Sequence, residues 1–271
     1  MELSFNKNRI LKKYTLEYGE RTKIEGVTNE KESQKLDVEM EFNGNNISFF
    51  QLSEIRNKEG DLEQILEITE NIFDDLKFQL DSSGKIEKIT NLTDIIDKWN
   101  STKTKYFADK KKQVEKDFIF QLSRVINNEQ FLTELIKKYN VIPFLFIGLY
   151  NKSYSTVAPV RLETILYNIF PLTDIPVRIE IEGAMDEDGD KILDFVGKET
   201  HEFDRFEYFK TLEDKYPKLE GIGSDVFDLK IEGRYVYNAD NTLSYFEVDI
   251  KISARGVVEY IQSYTLKDKT I

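Results

Sequence analysis

The sequence predicts an α+β fold, with a curved antiparallel β-sheet and a central helical insert packed on its concave face. Apolar and polar residues alternate through most of residues 1–92 and again through 151–271, as in strands with one buried and one solvated face. In 93–150 apolar residues instead recur every three or four positions, as in amphipathic helices. This order differs from the alternation of a βαβ nucleotide-binding fold, so we expect a single α+β domain over 1–271.

The first strands are predicted from short alternating patterns. YTLEYGE alternates from Tyr14, and KLDVEMEF alternates up to Asn43-Gly44, a dipeptide that strongly favours a hairpin turn. A second hairpin is expected in KFQLDSSGKIEKI, with its turn at Asp81–Gly84. Between the hairpins, DLEQILEITENIFDDL has apolar residues at helical spacing and predicts one helix, with a strand as the alternative.

The helical insert is predicted to begin at Thr93, a residue suited to an N-cap. Breaks are expected near Asn100–Thr102 and again near Asn127 and Asn128, which gives two or three helices. The predicted apolar stripe of the middle helix consists of Val114, Phe118, Leu122 and Val125.

The segment Val141–Tyr150, VIPFLFIGLY, is ten residues without a charge in a chain of which 32% are charged. It is too short to span a bilayer as a helix, which needs about 20 apolar residues. We favour a buried position in the core, with a docking surface as the alternative. Pro143 disfavours a continuing helix and favours an extended stretch or a new helix.

The last part of the chain is predicted to return to antiparallel strands. VRIEIEG and KILDFVG flank the turn DEDGD, and RYVY and SYFEVDIKI flank NADNT. A final strand is expected in VVEYIQSYTL. Between the two hairpins, the spacing of four apolar residues predicts a short amphipathic helix: Phe203, Phe206, Phe209 and Leu212.

Charge is unevenly distributed in this acidic chain, whose net charge is -12. Residues 174–232 contain 18 acidic and 8 basic residues, whereas 98–116 contain seven lysines and two acidic residues. An acidic total disfavours nucleic acid as a partner, because such binding depends on neutralising phosphates. An acidic surface favours a partner protein with a basic surface.

Known catalytic patterns do not fit the sequence. Cysteine is absent and His201 is the only histidine, which excludes cysteine chemistry and two-histidine zinc sites. AMDEDGDKILDF resembles a calcium loop, but Ala184 and Phe195 occupy its first and twelfth positions, where ligands are needed. We therefore predict no catalytic, metal-binding or cofactor-binding residues. The N-terminal segment lacks the apolar run of a secretory signal, so we expect a cytoplasmic protein unless a signal peptide has been removed.

Three segments resemble the bacterial half-barrel proteins of the lipoprotein-carrier type, in which a strongly curved antiparallel sheet wraps around helices. They are YTLEYGERTKIEG, LKFQLDSSGKIEKITN and LKIEGRYVYNADNTLSYFEVDIKI. The resemblance implies binding of an apolar ligand or a partner segment rather than catalysis. The chain lacks the lipidation cysteine of the envelope members.

From these observations we expect a non-enzymatic protein-binding module, such as a soluble adaptor, chaperone or immunity-type protein, that holds a partner segment against its sheet. A carrier of a small apolar or lipid-like ligand is the first alternative, and a carboxylate-based hydrolase is the second. The candidate partner- or ligand-binding residues are five aromatics in and near the helical insert: Trp99, Tyr106, Phe144, Phe146 and Tyr150.

Overall fold

The computed structural model describes residues 1–24, 26–52, 68–69, 71–108, 112–139, 141–170, 173–216, 227–254 and 258–269. Eleven strands occur in these ranges: β1 (Ile10–Ile24), β2 (Val27–Asn43), β3 (Asn46–Leu52), β4 (Asp75–Leu80), β5 (Ile86–Ile89), β6 (Val160–Ile169), β7 (Thr173–Met185), β8 (Lys191–Glu199), β9 (Phe227–Tyr237), β10 (Leu243–Ala254) and β11 (Val258–Asp268). The same ranges contain five α-helices and a 3-10 helix at Asn71–Phe73: α1 (Leu92–Tyr106), α2 (Gln113–Ile126), α3 (Glu129–Lys137), α4 (Ile142–Leu145) and α5 (Arg205–Lys215).

The strands form one antiparallel sheet in the order β5-β4-β3-β2-β1-β11-β10-β9-β8-β7-β6. The predictions of an α+β class, an antiparallel sheet and a helical insert are confirmed. The sheet is neither closed nor strongly curled over the described residues, so the strongly curved half-barrel sheet was not found. Alternation specifies which face a residue occupies, whereas curvature depends on coiling and bulges that alternation does not encode.

The predicted turns are found where the chain reverses. β2 and β3 pair from Asn43 opposite Asn46, and Gly44 has φ +60°, so the loop is Gly44-Asn45, one residue later than the quoted dipeptide. In the NADNT turn, Asn238 N donates to Thr242 O at 2.8 Å, and Asn241 has φ +66°. Both hairpins are confirmed. DEDGD is also a hairpin turn, in which the Asp186 carboxylate accepts hydrogen bonds from the backbone.

The chain divides into two compact units. One contains Lys7–Lys13 and Leu36–Phe146, and the other contains Met1–Asn6, Tyr14–Lys35 and Ile147–Ile271. We call them the helical unit and the large-sheet unit.

In the helical unit, α1 to α4 accompany the hairpin strands β2 to β5. The Phe146 ring lies 5.2 Å from that of Phe78 on β4, and Tyr139 lies 5.5 Å from Phe73. Asn91 ties the start of α1 to β4, because its side chain accepts from Lys77 N and donates to Asp75 O. The helices therefore pack on the hairpin strands of their own unit.

Three details of the predicted helices were wrong. α1 starts at Leu92, so Thr93 lies inside its first turn, and α1 continues through Asn100–Thr102 without a break. The buried residues of α2 are Glu115, Ile119 and Ile126, whereas Val114 is 71% exposed. The break at Asn127 and Asn128 is confirmed, since Asn128 caps α3.

The helix predicted at DLEQILEITENIFDDL lies mostly outside the described residues. Within the described part, 68–69 are helical, Asn71–Phe73 form the 3-10 helix, and Leu76 belongs to β4. The helical prediction was wrong for Leu76.

In the large-sheet unit, one face of β7 to β11 is apolar and the other is charged. Alternate residues of β9, β10 and β11 are buried as predicted, and Phe246 on β10 lies opposite Leu266 on β11. Tyrosines are prominent on this buried face: Tyr14, Tyr235, Tyr237, Tyr260 and Tyr264. Two bonds pair the first residues with the segment before β6, from Asn151 N to Leu3 O and from Tyr154 N to Met1 O.

The uncharged segment Val141–Tyr150 is buried, as favoured from the sequence. Val141 and Ile142 are fully buried, and Leu149 is 2% exposed. Pro143 lies in the first turn of α4, so the segment begins with a new helix, one of the two predicted conformations.

Candidate functional site

A cleft with a volume of about 650 Å³ opens over adjoining parts of β7, β8 and β9 in the large-sheet unit. Arg178 lies opposite Lys198 across β7 and β8, and Gly197 lies opposite Ile231 across β8 and β9. Val196 lies in the cleft with 53% of its surface exposed. Gly197 and Ile231 also line the cleft, together with seven polar residues: Arg178, Glu180, Lys198, Glu199, Thr200, His201 and Lys230.

Ion pairs already occupy several charged groups of the cleft. Arg178 Nη2 lies 2.9 Å from Glu163 Oε1, and Arg161 Nε lies 2.8 Å from Glu180 Oε1. Glu199 is paired with Arg205. The side chains of Lys198 and His201 have no ion pair within the described part of the chain.

The first turn of α5 is placed beside this cleft by Asp204 and Arg205. Asp204 Oδ1 accepts from Glu207 N at 3.0 Å, so Asp204 is the N-cap of α5, which was not predicted from the sequence. Arg205 binds Glu199 in the cleft lining. Phe206, the next residue, therefore lies on an ordered turn of the helix.

Helix α5 is held to the sheet by residues of the helix other than Phe206. Tyr208, Phe209 and Leu212 are buried, and the Tyr208 ring lies 5.1 Å from Phe227 on β9. The Tyr208 hydroxyl donates to Phe170 O at 2.9 Å. Burial raises the pKa of Tyr208 above its ordinary value of about 10, so the hydroxyl stays neutral.

Phe206 is 72% exposed, although the sequence predicted it on the buried face of this helix. Phe203 lies before the helix, which begins at Arg205, so the predicted spacing does not describe one face of α5. The buried residues of the helix include Tyr208, Phe209 and Leu212. Tyr208, four residues before Leu212, was the sequence signal for the buried face, and it was missed.

The surface around Phe206 is acidic. Glu202, Glu207 and Glu213 lie on or next to α5, and none of them forms an ion pair in the described ranges. Lys210 is the nearby base on the exposed side of the helix. Phe206 is therefore an exposed apolar side chain near carboxylates that have no charged partner in the described ranges.

The five aromatics predicted as binding residues are not gathered at this surface. Trp99 is fully buried, with its Nε1 donating to Ser123 Oγ at 3.2 Å, and Phe144 is 6% exposed. Tyr106 is 44% exposed, and Phe146 is partly buried.

Tyr150 belongs to the large-sheet unit and is 8% exposed. Its ring stacks on Phe5 at 4.2 Å. Of the five, Tyr106 alone is largely accessible, and a binding role for the set stays a prediction.

The described residues offer neither a metal site nor a membrane-spanning helix. They contain no group of three or more His, Asp or Glu side chains arranged to hold a metal ion. None of their helices combines the length and apolar character needed to cross a bilayer.

No protein-family model, curated protein or solved structure matches the chain. The resemblance to half-barrel carriers therefore stays a prediction from sequence pattern.

Proposed function

We propose that this protein is a non-enzymatic protein-binding module whose partner contacts Phe206 and the acidic surface of α5. The observation that carries the proposal is the 72% exposure of Phe206 on a helix whose other aromatics are buried. An aromatic side chain at the centre of an interface often contributes about 2 kcal/mol or more to binding. The helix is anchored by the Asp204 cap and by Arg205, so the ring is presented on an ordered element.

The charges next to Phe206 favour a basic partner. Glu202, Glu207 and Glu213 have no ion pair among the described residues, so a partner's lysines or arginines can approach them without breaking existing pairs.

The experiment compares capture by the tagged wild-type protein with capture by Phe206→Ala in a lysate of the source organism. Phe120→Ala is the matched control, because Phe120 is 61% exposed on α2 in the helical unit. We expect one stoichiometric protein with wild type and with Phe120→Ala, and a loss of at least tenfold with Phe206→Ala. Equal capture by all three proteins would contradict the assigned surface.

The basic character of the partner is tested separately. Glu207→Lys should weaken capture of the partner, because it reverses one of the acidic charges next to Phe206. It should also reduce the salt dependence of capture, because salt screens the attraction between exposed charges beyond about 8 Å at physiological ionic strength. Glu134→Lys, on α3, is the control. Native mass spectrometry of the purified protein tests the first alternative: co-purified lipid with no protein partner would support a ligand carrier and overturn the proposal.

A further inference from the structure

Strand β6 is the last strand at one edge of the sheet formed by the described residues. It is ten residues long and, in the described residues, pairs on one side only, with β7. Its pairing with β7 is regular from Val160 to Leu166, before a register shift that precedes Ile169. A long regular edge presents unpaired backbone groups on which another strand can form.

The side chains of β6 leave apolar and charged groups accessible at this edge. Val160 and Leu162 are partly exposed on the face shared with buried Ile179 and Ile181 of β7. On the other face, Arg161 and Glu163 are exposed and Ile165 is 39% exposed. An added strand would cover the apolar positions and meet two opposite charges.

The geometry points to a second copy of this chain as that strand: we propose that β6 pairs with β6 of a partner subunit, antiparallel, about a two-fold axis through Leu162. A two-fold axis perpendicular to the sheet pairs residues that point to the same face. Paired residues then differ by an even number of positions, so the axis lies between one residue and its own copy in the partner subunit. An axis through Arg161 or Glu163 places that residue beside its own copy. The axis through Leu162 places Arg161 opposite Glu163 of the partner subunit, twice.

The resulting row of charges alternates across the joined sheet. Glu180 on β7 contacts Arg161, and Arg178 on β7 contacts Glu163. Adding the partner gives the order Glu180, Arg161, the partner's Glu163, the partner's Arg178. Arg161 and the partner's Glu163 therefore each have opposite charges on both sides, which stabilises cross-strand pairs.

The apolar residues match in the same register. Leu162 meets Leu162 of the partner subunit on one face, and Ile165 meets the partner's Pro159 on the other. The dimer involves a different strand from the Phe206 surface, so it goes beyond the proposed function and does not depend on it.

The test uses sedimentation velocity over a range of concentrations. Wild type should form a concentration-dependent dimer, whereas Arg161→Glu and Glu163→Arg should each dimerise at least about tenfold more weakly, because like charges then face each other. An equimolar mixture of the two variants should dimerise again, since one carries two acids and the other two bases along β6. Arg161→Glu loses the contact with Glu180, and Glu163→Arg loses the contact with Arg178, whether the variants are alone or mixed. Recovery of the dimer on mixing therefore measures the contacts across the interface.

Disulfide capture supplies a second measurement, because the chain has no cysteine. Leu162→Cys should form a covalent dimer on mild oxidation, since directly opposed residues have Cα atoms about 4.5–5.5 Å apart. Ile165→Cys should not, because its copy would lie about six residues, or roughly 20 Å, along the ladder. A monomeric wild type at all concentrations, or a mixture that fails to dimerise, would overturn the proposal even if the Phe206 partner is found.

Discussion

Gly233 on β9 lies directly opposite Phe195 on β8, and the Phe195 ring occupies the space where a side chain of residue 233 would be. A methyl group at Gly233 would overlap Cζ of this ring and also the carbonyl oxygen of Glu247. The glycine therefore leaves room for the Phe195 ring, which also packs 5.2 Å from Tyr235.

Gly233→Ala should destabilise the protein by roughly 1–3 kcal/mol, because both the ring and a neighbouring strand must move to accommodate the methyl group. Gly19→Ala is the control, since no atom lies within 4 Å of a methyl group at that position of β1. Chemical denaturation of the two variants measures the difference. Equal midpoints would mean that the sheet relaxes around residue 233 without cost.

The order of elements and the buried face of the C-terminal strands could be predicted because each local pattern has one structural outcome. Alternation at β9 and β10 places residues on one face whatever the rest of the chain does. The shape of the sheet could not be predicted, because pairing partners and coiling are set by distant strands. β1 pairs with β11, for example, across almost the whole sequence.

The candidate site was harder to predict than the fold. Apolar composition alone suggested Phe144 and Tyr150 as contact residues, yet both are buried. The exposure of Phe206 depends on where α5 begins and on which of its residues face the sheet. The cleft depends on the alignment of three strands. α1 continues through Asn100–Thr102 although Asn, Ser and Thr are weak helix formers, because its stability comes largely from buried residues such as Trp99.

Buried tyrosines should make the large-sheet unit sensitive to alkali. Burial raises the pKa of Tyr237 well above its ordinary value, with further contributions from Tyr150 and Tyr235, and burial raises the pKa of Tyr14 in the same direction. These groups stay protonated in the folded state and ionise near pH 10 when unfolded. Their contribution to stability is complete below about pH 10 and is lost as pH rises beyond it.

The unfolding free energy should fall by about 1.4 kcal/mol per pH unit above pH 10 for each such tyrosine. Tyr237→Phe should reduce this slope by the contribution of one tyrosine, about 1.4 kcal/mol per pH unit. Tyr106→Phe is the control, because Tyr106 is 44% exposed. Denaturant titrations at several alkaline pH values, followed together with tyrosinate absorbance, measure the slope. Ionisation of all tyrosines before any loss of structure would contradict the prediction.

Asn128 should contribute to the stability of the helical unit as the N-cap of α3. Its Oδ1 accepts hydrogen bonds from Gln130 N and Phe131 N, both at 3.1 Å. Asn128→Ala should cost about 1 kcal/mol, because these two amides lose their acceptor at the helix start. Asn100→Ala, inside α1, should cost nothing, since alanine favours a helix interior. Thermal unfolding of the two variants measures the difference. Equal melting temperatures would show that Asn128 does not stabilise α3 as its cap.

Phe144 tests whether the uncharged segment Val141–Tyr150 is needed for folding. Phe144 is 6% exposed in α4, so Phe144→Asp places a carboxylate where solvent is excluded. The expected cost is several kcal/mol, which is comparable to the whole stability of an ordinary domain. Phe146→Asp should cost less, because Phe146 is only partly buried, but it loses the contact with Phe78.

Phe120→Asp is the matched control for both changes, because Phe120 is 61% exposed and its replacement by a charge leaves the carboxylate in water. Circular dichroism melts, read beside capture of the partner, separate folding from binding. We expect Phe144→Asp to unfold the helical unit and Phe120→Asp to melt like wild type. A folded Phe144→Asp that no longer captures the partner would show that this segment is a docking surface. Retention of both folding and binding would contradict both interpretations of these ten residues, because a buried aromatic that tolerates a charge without loss stabilises neither a core nor an interface.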